Sequence, residues 1–198
     1  DGVRGVARLI DTGSGLEVGK FGWKAQIPTV SDFVRDAISN ELGLTVFDDG
    51  RGFGLLTDSD GIADPEMPIQ EYEDLICDNQ HLAAPPRAGG AVAEGEALFT
   101  SIGCATCHTP ELPAVNGPVP LYSDLLLHDI HDVDFRATAE PDAPVGMYRT
   151  PPLWGLRKSA PYLHDGRATT IQAAIEQHFE EAENSRLNYE ALTASERE

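Results

Sequence analysis

Only three cysteines stand in 198 residues, an odd number and too few for the paired framework that staples small secreted domains. Cations are scarce as well. Lys and Arg total 14 against 33 Asp and Glu, a formal net charge of −19. Nucleic acid and anionic membrane surfaces are therefore poor partners on electrostatic grounds. No apolar run reaches the roughly 18 residues that a spanning helix needs, so the chain is expected not to cross a membrane. No secretory leader opens it, and Asp1 is not an initiator residue; the expectation is a processed chain or a fragment. Strand-like alternation of useful length is missing, and so are repeats at solenoid periods. Apolar residues still amount to 41%, enough for a packed core.

What is present reads mainly as helix and loop. Residues 1–20 are glycine-rich and extended or looped. Thr29–Leu42 has helical spacing at Phe33, Val34, Ile38 and Leu42, with Ser31 as the expected N-cap and Gly43 as the stop. Residues 48–68 form a Gly- and Asp-rich loop. Its Asp58, Asp60 and Asp64 lack the spacing of an EF-hand, so a solvated acidic loop is preferred to a calcium site. Ile69–Ala83 is the next expected helix, with Tyr72, Ile76 and Cys77 on one side and Cys77 read as a small buried hydrophobe. Pro85-Pro86 ends it, Ala88-Gly89-Gly90 reads as a linker, and a domain boundary is expected near residue 87. Glu94–Ile102 is a helix running into a cysteine pair. Tyr122–Ile130 is expected to make one or two helical turns, within loops on either side. Thr169 opens the clearest helix, with Thr169 and Gln172 as a capping box and Ile171, Ala174, Ile175, His178 and Ala182 on one face. Thr193–Glu198 resembles the cap and first turn of another helix, and the natural protein is expected to continue beyond it.

The cysteine pair carries the chemistry. Cys104-Ala105-Thr106-Cys107-His108 is the attachment signature for c-type haem. Two thiols on one turn add to the two vinyl groups of the porphyrin, and the adjacent histidine faces the iron. A zinc site would need a second ligand pair at suitable spacing, and Cys77 lies on a different element. A redox-active cysteine pair would need a βαβ context, which is missing. The other axial position has several candidates: His81, His128, His131, His164, His178 and Met147. His178 lies on the apolar stripe of the best helix. His164 sits in a turn-like Leu163-His164-Asp165-Gly166, and Met147 in a loop of the kind where cytochromes place a methionine ligand.

Further motifs appear in order: Phe21-Gly22-Trp23-Lys24-Ala25-Gln26, Asp124-Leu125-Leu126-Leu127-His128-Asp129, Arg149-Thr150-Pro151-Pro152-Leu153-Trp154-Gly155-Leu156 and Leu163-His164-Asp165-Gly166-Arg167-Ala168. With the haem motif they resemble a family of bacterial di-haem oxidoreductases of peroxidase or thiol-oxidoreductase type, itself similar to the di-haem cytochrome c peroxidases and MauG. The resemblance covers roughly residues 20–198. It implies an all-α fold: a cytochrome c-type domain with long irregular loops over 88–198, preceded by a smaller helical and loop segment over 1–87. In the relatives the distal ligand of the electron-transferring haem lies fourteen residues after the histidine that aligns with His164, and here that position is His178. The resemblance also implies calcium held by backbone carbonyls of Ser159 and Pro161. It departs from the family in one respect, because a second Cys-x-x-Cys-His upstream is absent.

The resulting expectation is a c-type cytochrome with one covalent, bis-histidine, low-spin haem, held by Cys104, Cys107, His108 and His178 and acting in electron transfer. Histidine in place of methionine favours a lower reduction potential. Arg149, Arg157 and Lys158 are candidate partners for the haem propionates, and Trp23 and Trp154 are expected in the core. The alternative is part of a peroxidase-like enzyme whose catalytic haem lies in another domain or polypeptide. The expected partner is a redox protein or second haem domain, in a larger complex or alone. Haem attachment to this motif in bacteria implies a periplasmic or exported location.

Overall fold

The computed structural model describes residues 2–86, 92–131 and 139–197. The chain divides into two units, Arg8–Ala83 and Asp1–Ala7 together with Ala84–Glu198. The expected linker at residues 88–90, like the boundary expected near Arg87, lies outside the described residues.

In the unit Arg8–Ala83, strands β1 (Leu9–Asp11) and β2 (Leu16–Val18) pair antiparallel, Ile10 opposite Glu17. Beyond β2, Gly19 admits no side chain, since a Cβ there would lie 1.8 Å from the Ala25 carbonyl oxygen. Helix α1 (Val30–Ala37) is capped by Thr29, whose hydroxyl accepts from the Asp32 amide at 3.1 Å. The expected cap, Ser31, lies inside the helix, with its hydroxyl 2.5 Å from that of Tyr72. A wider π-turn continues α1 over Ile38–Leu42 to Gly43, which takes the left-handed conformation at φ 72°. Helix α2 (Ile69–His81) follows the acidic loop. Val34, Ile38, Val46, Met67 and Tyr72 make the core, with Val30, Leu44, Phe47 and Ile76 against it. Beside it Asp32, fully buried, takes a two-pronged ion pair from Arg51 at 2.8 Å on each prong, and Arg51 reaches Glu17 at 2.8 Å. Two expectations of burial fail here: Trp23 is exposed, and so is Cys77, because the core takes Tyr72 and Ile76 from α2.

In the other unit, α3 (Val92–Ser101) leads into the haem motif. Strands β3 (Leu127–Asp129) and β4 (Met147–Arg149) pair antiparallel with His128 opposite Tyr148. Leu127 also exchanges backbone hydrogen bonds of 2.9 Å with Val6, so it lies between two neighbours and is fully buried. Helices α4 (Ile171–Ile175), α5 (Glu183–Glu190) and α6 (Ala194–Arg197) complete it, with single 3₁₀ turns at Cys104–Thr106, Leu156–Lys158 and Glu180–Ala182.

The fold is therefore not all-α but mixed, with short helices and two small antiparallel pairs. The strands are three residues each, too short for a period-two pattern to show. Tyr122–Ile130, expected to turn helically, contains β3. Its partners Val6 and Tyr148 are distant in sequence, so local propensity did not decide it.

Candidate haem site

Helix α3 delivers the motif. Gly103 breaks the helix at φ 98°, and the chain closes a 3₁₀ turn over Cys104–Thr106. The His108 amide then donates to the Cys104 carbonyl at 3.0 Å. Cys104 and Cys107 are thus one turn apart, both half-buried and free. Burial raises the pKa of the Cys104 thiol, only partly offset by a backbone hydrogen bond. A reactive or zinc-binding thiolate needs the opposite environment. Among the described residues no group of His, Cys, Asp or Glu gathers around these thiols as a metal-ion site would require.

His108 is fixed from the next segment. Its Nδ1 donates to the Tyr122 carbonyl at 2.9 Å, leaving Nε2 without a hydrogen-bond partner. Tyr122 holds that carbonyl in place from a left-handed backbone at φ 53°. The conformation is anchored at the other end of the side chain, where the phenol donates to Glu96 of α3 at 2.7 Å and the ring meets Phe99 edge-on. One helix therefore carries both the entry to the motif and the anchor that orients its histidine. Burial, only partly opposed by the Tyr122 carbonyl, pulls the pKa of His108 down to about 4, and the nearby imidazole of His178 adds to the effect.

His178 lies on an exit turn rather than on a long helix. The N-cap of α4 is Thr170, whose hydroxyl accepts from the Ala173 amide at 3.0 Å, in place of the expected Thr169. Gln172 reaches forward to Glu176 at 2.7 Å instead of back. The Ala174 carbonyl accepts from Nδ1 of His178 at 2.8 Å and from the Gln177 amide, while the His178 amide tightens onto Ile175. The helix stops there, and the Phe179 amide turns away to Ile130. His178, like His108, has committed Nδ1 to a backbone carbonyl and left Nε2 free. Burial lowers its pKa, so the ring is neutral at physiological pH.

The other axial candidates are placed as follows. His128 is buried and both its ring nitrogens face carboxylates, Asp124 at 2.8 Å and Glu181 at 3.0 Å. His131 and His164 pack with Tyr148, His164 stacked on it at 4.2 Å and His131 edge-on at 4.8 Å. His81 is exposed on α2 and bonded to the Cys77 carbonyl. Met147 is half-buried in β4. Sequence reasoning missed the Tyr122 carbonyl, the His128 carboxylate clamp and the His131–Tyr148–His164 cluster. The Asp124–Asp129 motif was the signal for the second, since it spaces an acid and a histidine four apart.

Arg149 is half-buried, its guanidinium pKa lowered by burial, and donates to the Thr150 carbonyl at 3.3 Å. Arg157, Lys158, Ser159 and Pro161 are exposed around the Leu156–Lys158 turn. Trp154 is not core: it is 38% exposed, with its indole N–H on the Pro120 carbonyl at 2.8 Å. Among the described residues the one cluster of three carboxylates is Asp58, Asp64 and Glu66 in the other unit. Asp64 and Asp58 were noticed in sequence, whereas Glu66 replaces Asp60.

The donor set fits a haem. Two thiols on one turn and two neutral imidazoles with oriented, free Nε2 atoms are what the group requires. Phe99 packs its ring near that of His108, 6.3 Å between centroids, and among the described residues of this unit Ile102, Leu121, Leu125, Leu126, Ile175 and Phe179 are likewise only half-buried.

Comparison with known protein families matches residues 11–198 to the family described as "Di-haem oxidoreductase, putative peroxidase". The chain belongs to this family. Neither curated proteins nor solved structures gave a match. Membership makes the protein a haem-associated oxidoreductase by family. No helix among the described residues is long and apolar enough to cross a membrane.

Proposed function

We propose that this chain is the electron-transferring, c-type haem portion of a di-haem oxidoreductase, and that it serves a second, catalytic haem held outside these 198 residues. The observation that carries the reading is the pair His108 and His178. Each donates Nδ1 to a backbone carbonyl and presents an unengaged Nε2, the arrangement of a metal-ligating histidine. When bound, the haem supplies a one-electron couple. Cys104 and Cys107 would tether it, His108 and His178 would supply imidazole nitrogens to its iron, and Arg149 and Arg157 would pair with its propionates. With both imidazoles engaged, the iron would have no site for peroxide, and the chain would pass electrons rather than bind substrate. The Ser159 and Pro161 carbonyls would be two of the six to eight oxygens that a calcium ion takes, the rest coming from elsewhere. The working location is exported, where haem is joined to Cys-x-x-Cys-His, and the partner is a redox protein or haem domain rather than nucleic acid.

The test is the visible spectrum of the reduced holoprotein before and after carbon monoxide. A low-spin spectrum unchanged by the gas is expected, with His178→Ala converting it to a carbon monoxide binder. A prompt carbon monoxide complex in the unaltered protein would overturn the assignment of His178. It would move a peroxidase-like reaction at this haem, the reading the family name favours, into first place.

A further inference from the structure

The Asp124-Leu125-Leu126-Leu127-His128-Asp129 motif is not used by any ligand role above, yet it carries the most polar buried group of its unit. His128 is 3% exposed. Its Nε2 lies 2.8 Å from Asp124 Oδ2, its Nδ1 lies 3.0 Å from Glu181 Oε2, and the same Nδ1 is 3.6 Å from Cys107 Sγ. With a carboxylate on each nitrogen, both nitrogens donate, so the ring is an imidazolium by geometry. Glu181 is fixed in turn by the Arg4 amide at 2.7 Å and the Asp129 amide at 3.3 Å. Asp124 is fixed by its own amide on the Cys107 carbonyl at 2.9 Å. The N-terminal segment closes over the ring at Gly5, where an added Cβ would lie 2.7 Å from His128 Cε1. Nothing in this packing lets the ring turn.

We infer that His128, clamped between Asp124 and Glu181 against the sulfur of Cys107, is a fixed cation that raises the reduction potential of the haem attached there. The inference rests on the haem reading of the preceding section. It has a physical motive in this chain, where the net charge of −19 and a second histidine ligand both favour the oxidised state. A buried positive charge at the attachment sulfur opposes them, since in a low-dielectric interior it is little screened. Burial alone would depress the pKa of the ring, but the hydrogen bonds it donates to Asp124, Cys107 and Glu181 outweigh it and push it up to about 11.

The clamp carries a charge of −1 in total, from two carboxylates and one imidazolium, and the sign of each substitution follows. His128→Gln makes it −2 and lowers the potential. Glu181→Gln makes it neutral and raises it. The experiment is a spectroelectrochemical titration of the holoprotein and both variants at pH 8. A shift of about tenfold in the oxidised-to-reduced equilibrium, about 59 mV for one electron, is expected in each direction. A purely structural role would loosen the site in both variants and move both potentials the same way. Equal potentials, or shifts of the same sign, overturn the inference. Where His128→Gln yields no holoprotein, Glu181→Gln decides alone: an unchanged or lowered potential is refutation. The spectra of the same samples separate the two proposals. A carbon monoxide complex in the unaltered protein defeats the bis-histidine reading, while the opposed shifts remain readable at whatever coordination is found.

Discussion

Replacing Tyr122 with phenylalanine removes one hydroxyl and leaves the ring on Phe99, so it isolates the anchor that orients the proximal histidine. The lost bond runs to Glu96 at 2.7 Å. A hydrogen bond to a charged acceptor contributes about 1.5–3 kcal/mol, and with both partners half-buried the lower end applies, about 1.5 kcal/mol. That is roughly tenfold in the folding equilibrium, and a fall of about 3–6 °C in Tm for a chain of this size. The consequence at the site is larger than the number suggests. Tyr122 sits at φ 53°, which costs a non-glycine residue roughly 1–2 kcal/mol, so freeing the phenol releases the backbone toward ordinary conformations and swings the carbonyl away from His108. Two assays follow. Denaturation of Tyr122→Phe, Glu96→Gln and the double variant should give a coupling energy of about 1 kcal/mol. Proton NMR of the oxidised holoprotein should show displaced haem methyl resonances, which report the plane of the axial imidazole. Additivity within about 0.3 kcal/mol, or unmoved methyl resonances, would refute the claim that α3 orients His108 through Tyr122.

In the unit Arg8–Ala83, Asp32→Ala should cost about 1.5–3 kcal/mol in urea denaturation, because it removes charged hydrogen bonds to Arg51, which keeps Glu17 and some solvent. A loss below about 1 kcal/mol would show that the pair is ornamental. Burial tends to raise the Asp32 carboxyl, but Arg51 and Thr29 hold it below its usual range; the stabilisation is complete above the unfolded pKa of about 4 and lost as pH falls below it. Gly19→Ala should leave little soluble protein, since its Cβ would overlap the Ala25 carbonyl oxygen and neither backbone can retreat; normal yield and Tm would count against that contact. His131, held neutral by burial with a pKa pulled down to about 4, should make stability fall as pH drops from about 6.5 toward 4, by at most about 1.4 kcal/mol per pH unit. His131→Phe should flatten that slope, measured by Tm against pH, and an unchanged slope would place the proton elsewhere.

The parts of this protein that could be read from its sequence are those whose causes are local. The haem motif needs only one turn, Gly43 stops its helix because a left-handed residue is cheapest as glycine, and α2 and α3 carry their own spacing and end near the predicted residues. What escaped was set by distant partners. β3 forms because Val6 and Tyr148 flank it, and three residues cannot advertise a strand. The long helix expected after Thr169 fails for a reason that periodicity cannot show. The imidazole of His178 shares the Ala174 carbonyl with the Gln177 amide, and the His178 amide bonds Ile175 instead, so the helix tightens and ends. The same bond orients the ring. Breaking the helix and orienting the imidazole are one event, so the apolar stripe that singled out His178 belongs to an element that the residue's own side chain brings to an end.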